Sequence, residues 1–227
     1  KIHKNFEVKE TGWSKLDYLF DKKFIFEKSK LIKEYKVKKI ILYAPTFSPK
    51  LTSADYILPE INKIAQENPS LLFLIKFHPL MHEKFIRLAK EIDAKNKNVL
   101  LVKDQNILKS LSVSDLLISD TSSSIYEFLL LDKPVISFKN ISKNIHWQDF
   151  SKANQLKSLI DNNLSLDPFK ENRKFIFHNY HPYNDGRSSE RIIDSINEYI
   201  NNFGVPNARK LSLYRKIKIY LKFRFNN

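Results

Sequence analysis

Residues 115–138 read DLLISDTSSSIYEFLLLDKPVISF. The short apolar run Leu116-Leu117-Ile118 has the length of a buried strand, and it passes through Ser119-Asp120 into Thr121-Ser122-Ser123-Ser124, residues whose hydroxyls favour helix starts. From Ile125 the apolar positions recur every three to four residues through Phe128, Leu129 and Leu131, until Lys133-Pro134 stops the helix ahead of a second apolar run, Val135–Phe138. The stretch therefore predicts strand, hydroxyl-rich turn, helix, strand. Unpaired N–H groups and the positive dipole end at such a helix start attract anions, and four adjacent hydroxyls suit phosphate oxygens. Thr121, Ser122, Ser123 and Ser124, with Asp120 before them, are thus candidate residues of an anion site. One turn further in, Glu127 is a candidate acceptor for vicinal hydroxyls such as those of a ribose.

Working outward, Ile40–Tyr43 reads as a buried strand ended by Pro45, Leu71–Phe77 as another with His78-Pro79 at its carboxyl end, and Val99–Val102 as a third. Helical spacing lies between them, at Ile57, Ile61, Ile64 and Ala65, at Phe85, Leu88, Ala89 and Ile92, and at Ile107, Leu108 and Leu111. Five strands alternating with helices between residues 40 and 138 predict an α/β fold: a Rossmann-like parallel sheet with helices on both faces. Ligands of such sheets collect at strand carboxyl ends, which makes the polar loop Thr46–Ser53 a site candidate, Thr46 first. Lys76 shares side-chain parity with His78, so it either lines the same pocket or covers the sheet. Residues 139–152 are expected to be a loop, His178 and His181 loop residues, and 157–160, 168–177 and a long stretch from Ser188 helical. Gly204-Val205-Pro206 is the clearest linker.

The chain has 227 residues and is 42% hydrophobic, enough for a sizeable core. It contains no cysteine, so neither a disulfide framework nor thiolate chemistry is expected. With three glycines there is no G-x-G-x-x-G and no P-loop; Asp-x-Asp and His-x-x-x-His are also missing, so no metal and no cofactor is expected. A serine hydrolase is set aside for want of a G-x-S-x-G elbow. No apolar run reaches the length of a membrane span and no signal peptide opens the chain, so it is not expected to cross a membrane. The first residue is Lys1 rather than Met, as expected of a piece of something longer. Net charge is +14, which points to a phosphate-rich partner. Half of that excess comes from seven basic residues between Arg209 and Arg224, where no acid occurs. They alternate with Leu211, Leu213, Tyr214, Ile217, Ile219, Tyr220, Leu221, Phe223 and Phe225, a pattern that fits helix or strand and suits an anionic lipid surface.

Five segments in order, Thr11-Gly12-Trp13-Ser14-Lys15-Leu16-Asp17, Ile41–Phe47, Lys76-Phe77-His78-Pro79, the central stretch, and Asp185-Gly186-Arg187-Ser188-Ser189-Glu190-Arg191, resemble the CDP-glycerol glycerophosphotransferases, teichoic-acid and capsule polymerases with a GT-B fold. More distantly they are similar to UDP-N-acetylglucosamine 2-epimerases. The resemblance covers about residues 11–200 and departs from the usual pattern at Ser14, where the family more often has Pro. It implies the donor-binding half of a GT-B transferase: residues 1–20 a leading segment at the end of an amino-terminal acceptor domain, 21–204 the nucleotide-diphosphate donor domain, and 205–227 a basic-aromatic tail. It implies that His78 is catalytic, acting on charge that develops on the departing CMP, and that Arg187 joins the donor phosphates. It also implies that the base is a histidine of the acceptor domain. The expected reaction is transfer of glycerol phosphate from CDP-glycerol to a lipid-linked or polymer acceptor, in the cytoplasm and peripheral to the inner face of the membrane. The alternatives are a UDP- or CDP-sugar glycosyltransferase or a 2-epimerase, although Ser123-Ser124 and Tyr126-Glu127-Phe128 replace the epimerase's paired glycines and double glutamate. A nucleic-acid-binding module is a third reading; the charge sits in the tail and in scattered lysines without a recognised motif, so no nucleic acid is expected.

Overall fold

The computed structural model describes residues 8–20, 23–104, 106–183, 185–205 and 211–224. By packing, Gly12–Ser189 form one compact unit, and the described residues up to Thr11 and from Glu190 onward form a second.

In the first unit a 3-10 helix over Ser14–Phe20 leads to α1 (Lys23–Tyr35), β1 (Lys39–Tyr43), α2 (Ala54–Glu67), β2 (Leu71–Ile75), α3 (Glu83–Lys95), β3 (Val99–Leu101), α4 (Ile107–Val113), β4 (Leu116–Ser119), α5 (Ser124–Leu129) and β5 (Val135–Phe138). β6 (Gln148–Phe150), α6 (Leu156–Ser165) and α7 (Lys170–Tyr180) complete it. The strands form one parallel sheet in the order β3-β2-β1-β4-β5-β6. The chain thus builds one half outward from β1, then returns from β3 to lay β4 against β1's other side. That return makes the β1/β4 seam a topological switch point, where strand carboxyl ends open a crevice.

Alternation within each strand divides the core between two faces. Ile41, Tyr43, Phe73, Ile75, Leu116 and Ile118 pack under α2, α3 and α6. Ile40, Leu42, Leu72, Leu74, Leu117 and Val135 pack under the 3-10 helix, α4, α5 and Ile176 of α7. The expected Rossmann-like sheet with helices on both faces is therefore what the chain forms.

Three expectations are corrected. Residues 148–150 are a strand rather than loop; β6 is a three-residue edge strand with one buried apolar residue, Phe150, too short to leave an apolar run. His178 lies in α7 and His181 caps its end, buried, where its Nε2 accepts from Trp13 N at 3.1 Å. The central helix is only six residues long.

The second unit holds α8 from Glu190 onward (the helix spans Ser188–Phe203) and α9 (Leu213–Arg224). Lys9 pairs with Glu198 at 3.0 Å. The tail is helical over Leu213–Arg224; 206–210 and 225–227 lie outside the described residues. Among the described residues no helix is long and apolar enough to cross a membrane.

Candidate functional site

The carboxyl ends of β1, β2 and β4, with the start of α4, surround a pocket of about 370 Å³. Its wall after β1 is Ala44–Phe47, after β2 Lys76–Pro79, and after β4 Thr121–Ser124 with Glu127; Ile107 and Lys15 close it. Of the residues expected from the sequence, Thr46, Lys76, His78, Thr121, Ser122, Ser123, Ser124 and Glu127 meet here, although they come from three segments of the chain.

Asp120 is placed behind the pocket rather than in its lining. Its fully buried carboxylate accepts from Thr46 N at 2.8 Å, from Ser53 N and Ser53 Oγ at 2.9 Å, and from Thr121 N at 2.7 Å. Burial pushes the Asp120 carboxyl up from the usual aspartate range, while the four hydrogen bonds pull toward the ionised form. Its role is to join the loop after β1 to the turn after β4. Ser53 Oγ also meets the hydroxyl of Tyr43 at 2.9 Å, which extends this buried network beneath the pocket.

The hydroxyl turn is organised by Ser122, whose Oγ accepts from Ser124 N at 3.3 Å and meets Ser124 Oγ at 2.9 Å. Ser123 occupies the position before α5 and its hydroxyl makes no capping bond; it is exposed. A six-residue helix has a small dipole, so hydroxyls, backbone N–H groups and nearby cations must carry more of any anion binding than the dipole does.

His78 stacks on Phe47 with ring centroids 4.3 Å apart. Its Nδ1 accepts from Leu80 N at 3.1 Å, which leaves Nε2 as the nitrogen that bears the proton in the neutral ring. Lys76 is buried, and its ammonium donates to Phe77 O at 2.9 Å. That burial lowers its pKa from the ordinary lysine value.

Glu127 is buried on α5, and Lys15 Nζ lies 2.5 Å from its Oε1. Oε2 is buried without a hydrogen-bond partner. Lys15 belongs to the segment Thr11–Asp17 but carried no expected role, because nothing local links it to a carboxylate 112 residues away. Phe47 lies in the candidate loop Thr46–Ser53 without having been singled out, and Ile107 was read only as part of a helix's apolar face.

Arg187 is not brought to this pocket. It is exposed, and its N–H donates to Asp185 Oδ1 at 3.1 Å. Asp17 holds the segment elsewhere by accepting from Ser188 N and Ser189 N at 2.9 and 2.7 Å. Gly186, at φ +71°, packs so close to Phe20 that an added Cβ would lie 3.1 Å from it. No three of the described His, Asp or Glu side chains converge as a metal ion requires.

The fold has counterparts among solved structures. A structure of the wall teichoic acid polymerase TagF soaked with CDPG superposes with a TM-score of 0.64 at 20% identity, covering 86% of this chain and 51% of that one. A structure of Staphylococcus aureus MnaA with UDP gives 0.60 at 18% identity, covering 88% and 57%. In sequence, the teichoic acid glycerol-phosphate primase of Bacillus spizizenii is 30% identical over 185 residues, 72% of this chain and 45% of its own. The ribitol-phosphate polymerase TarL of Staphylococcus aureus is 28% identical over 211 residues, 83% of this chain and 37% of its own. The chain thus spans less than half the length of these two curated relatives. Residues 2–144 match the family described as CDP-glycerol:poly(glycerophosphate) glycerophosphotransferase, and that match takes in every pocket residue named above. A match over more than half of the chain, which takes in four of the five motifs, makes it a member of the CDP-glycerol:poly(glycerophosphate) glycerophosphotransferase family.

Proposed function

We propose that the chain binds the nucleotide-diphosphate donor of an alditol-phosphate transferase, with CDP-glycerol the first candidate and a teichoic or capsular polymer the acceptor. The observation that carries this reading is the meeting of Thr121–Ser124, Lys76, His78 and the buried carboxylate of Glu127 in one pocket at the β1/β4 seam. Hydroxyls and amides of the turn suit the diphosphate. The unpartnered Oε2 of Glu127 suits a ribose hydroxyl. In the transfer step the acceptor hydroxyl oxygen forms a bond to the phosphorus that carries glycerol, the phosphoanhydride bond to CMP breaks, and the hydroxyl's proton passes to a base. His78 acts on the charge that grows on the departing CMP, as a donor through Nε2. Arg187 remains in this proposal as a residue that reaches the donor only if its segment moves.

Calorimetric titration with CDP-glycerol, CDP-ribitol, UDP-N-acetylglucosamine and CMP tests the reading. A cytidine diphosphate donor is expected to bind best, and Ser123→Ala to weaken it by about 1 to 3 kcal/mol through one lost hydroxyl–phosphate bond. Tight binding of the uridine sugar alone would replace glycerol phosphate transfer with sugar chemistry.

We further propose that α9 holds the protein at the inner face of the membrane. It carries five basic residues and no acid, and its large apolar side chains are exposed. A 12-residue helix whose large apolar side chains are exposed is marginal in water, and an anionic bilayer supplies an apolar surface together with charge.

A further inference from the structure

Lys15 and Glu127 form an asymmetric pair. The Glu127 side chain is 2% exposed and fixed in the core of α5, whereas that of Lys15 is 45% exposed at the pocket's open side. Lys76, the other lysine lining the pocket, is buried and bonded to a backbone carbonyl. Lys15 is thus the cation free to swing, on a flexible four-carbon stem, and the face of Trp13 lies 5.9 Å from its Nζ as a second resting place. The carboxylate keeps one oxygen on Lys15 and one buried without a partner, on a residue that lines the pocket.

We propose, building on the donor reading above, that the Lys15–Glu127 pair is a latch that a nucleoside diphosphate opens by exchange. The ammonium of Lys15 transfers to the diphosphate, and Glu127 accepts ribose hydroxyls where the ammonium had been. A bare diphosphate that draws Lys15 away strands a buried carboxylate, which is costly. A nucleoside without phosphate finds only Oε2 and gains nothing from Lys15. A ligand with both parts satisfies both partners, so the latch favours the intact nucleoside diphosphate over either fragment and makes Lys15 a specificity-determining residue.

The test titrates pyrophosphate, cytidine and CDP-glycerol into the full chain. Glu127→Gln releases Lys15, so pyrophosphate is expected to bind about fivefold tighter, the scale of a half-exposed ion pair, while CDP-glycerol binds about tenfold weaker or worse for want of the carboxylate. Lys15→Ala is expected to weaken pyrophosphate and CDP-glycerol and to strengthen cytidine, with Lys15→Arg restoring CDP-glycerol. Opposite signs for two ligands in one variant are what a purely structural ion pair does not produce. Pyrophosphate binding that is unchanged or weaker in Glu127→Gln, or cytidine binding without gain in Lys15→Ala, overturns the latch. A wild-type chain that binds no cytidine diphosphate donor overturns the donor reading instead, so the two failures are told apart.

Discussion

His78 sits at the carboxyl end of β2 with its ring on Phe47 and Nδ1 committed to the Leu80 amide. A ring so oriented has only Nε2 to offer a ligand, and in the proposed transfer its contribution grows only as charge develops on the leaving group. His78→Ala in the intact enzyme is therefore expected to lower kcat far more than it raises KM, as checked by steady-state kinetics with CDP-glycerol. An unchanged rate with a lower melting temperature would make the residue structural. At this scale the sequence was most readable where the chemistry is local: the hydroxyl run Thr121–Ser124 and the strand-end histidine announce themselves within a few residues. Asp120 was expected among the anion-site residues and lies behind the pocket instead, a placement no local pattern records because the amides it receives come from Thr46 and Ser53, 74 and 67 residues away. Lys15 was not legible at all, since its partner is fixed only once the 3-10 helix packs beside α5.

Among the elements, the long apolar runs of β1, β2, β4 and β5 were readable because burial on both faces leaves no polar interruption. β6 escaped because an edge strand of three residues needs little hydrophobicity. α5 ends at Leu129, ahead of the expected stop at Lys133-Pro134, and what Lys133 does next was not readable either. Its ammonium donates to Leu111 O and Ser112 O, at 3.3 and 2.6 Å, near the end of α4, where carbonyls and the dipole favour a cation. Burial, helped by the nearby charge of Lys28, lowers its pKa to about 8. A lysine whose folded pKa lies below its unfolded value near 10.5 is protonated in both states at pH 7, where the cost of the buried charge is fully present. Between about 8 and 10.5 the unfolded chain binds more protons, so this group makes stability rise with pH across that window. The melting temperature of the wild type relative to Lys133→Met is expected to climb from pH 7 to 10. A flat difference would mean that the ammonium is better solvated than its surroundings indicate. In the same region Arg173, buried, binds Asp167 in bidentate fashion at 2.7 and 2.6 Å and Asp132 at 2.8 Å. It thereby ties together two turns whose aspartates have φ of 46° and 53°, a left-handed backbone that aspartate tolerates better than most residues.

For the whole molecule, alternation of strand and helix was enough for a parallel sheet, while the return from β3 to β4 that creates the seam is a long-range choice no local pattern records. The tail shows the same division. Its charge was plain in the sequence, its helical state was not, because the apolar residues of 213–224 spread around the axis and also alternate along it. With Leu213, Tyr214, Ile217 and Phe223 exposed, α9 should carry the protein to anionic lipid. Co-sedimentation with phosphatidylglycerol vesicles is expected to fall steeply with salt and with removal of residues 207–227. Equal binding to neutral vesicles, or none to anionic ones, would end the membrane proposal.

The convergence on Asp120 has a consequence for how the protein opens. Three amides from separate stretches of chain, those of Thr46, Ser53 and Thr121, share one acceptor. Loss of any one of them leaves a buried carboxylate with fewer donors, a cost that couples the three stretches. Protection at all three positions should therefore vanish with one opening free energy and one urea dependence, so that the pocket is present or absent as a unit rather than eroding loop by loop.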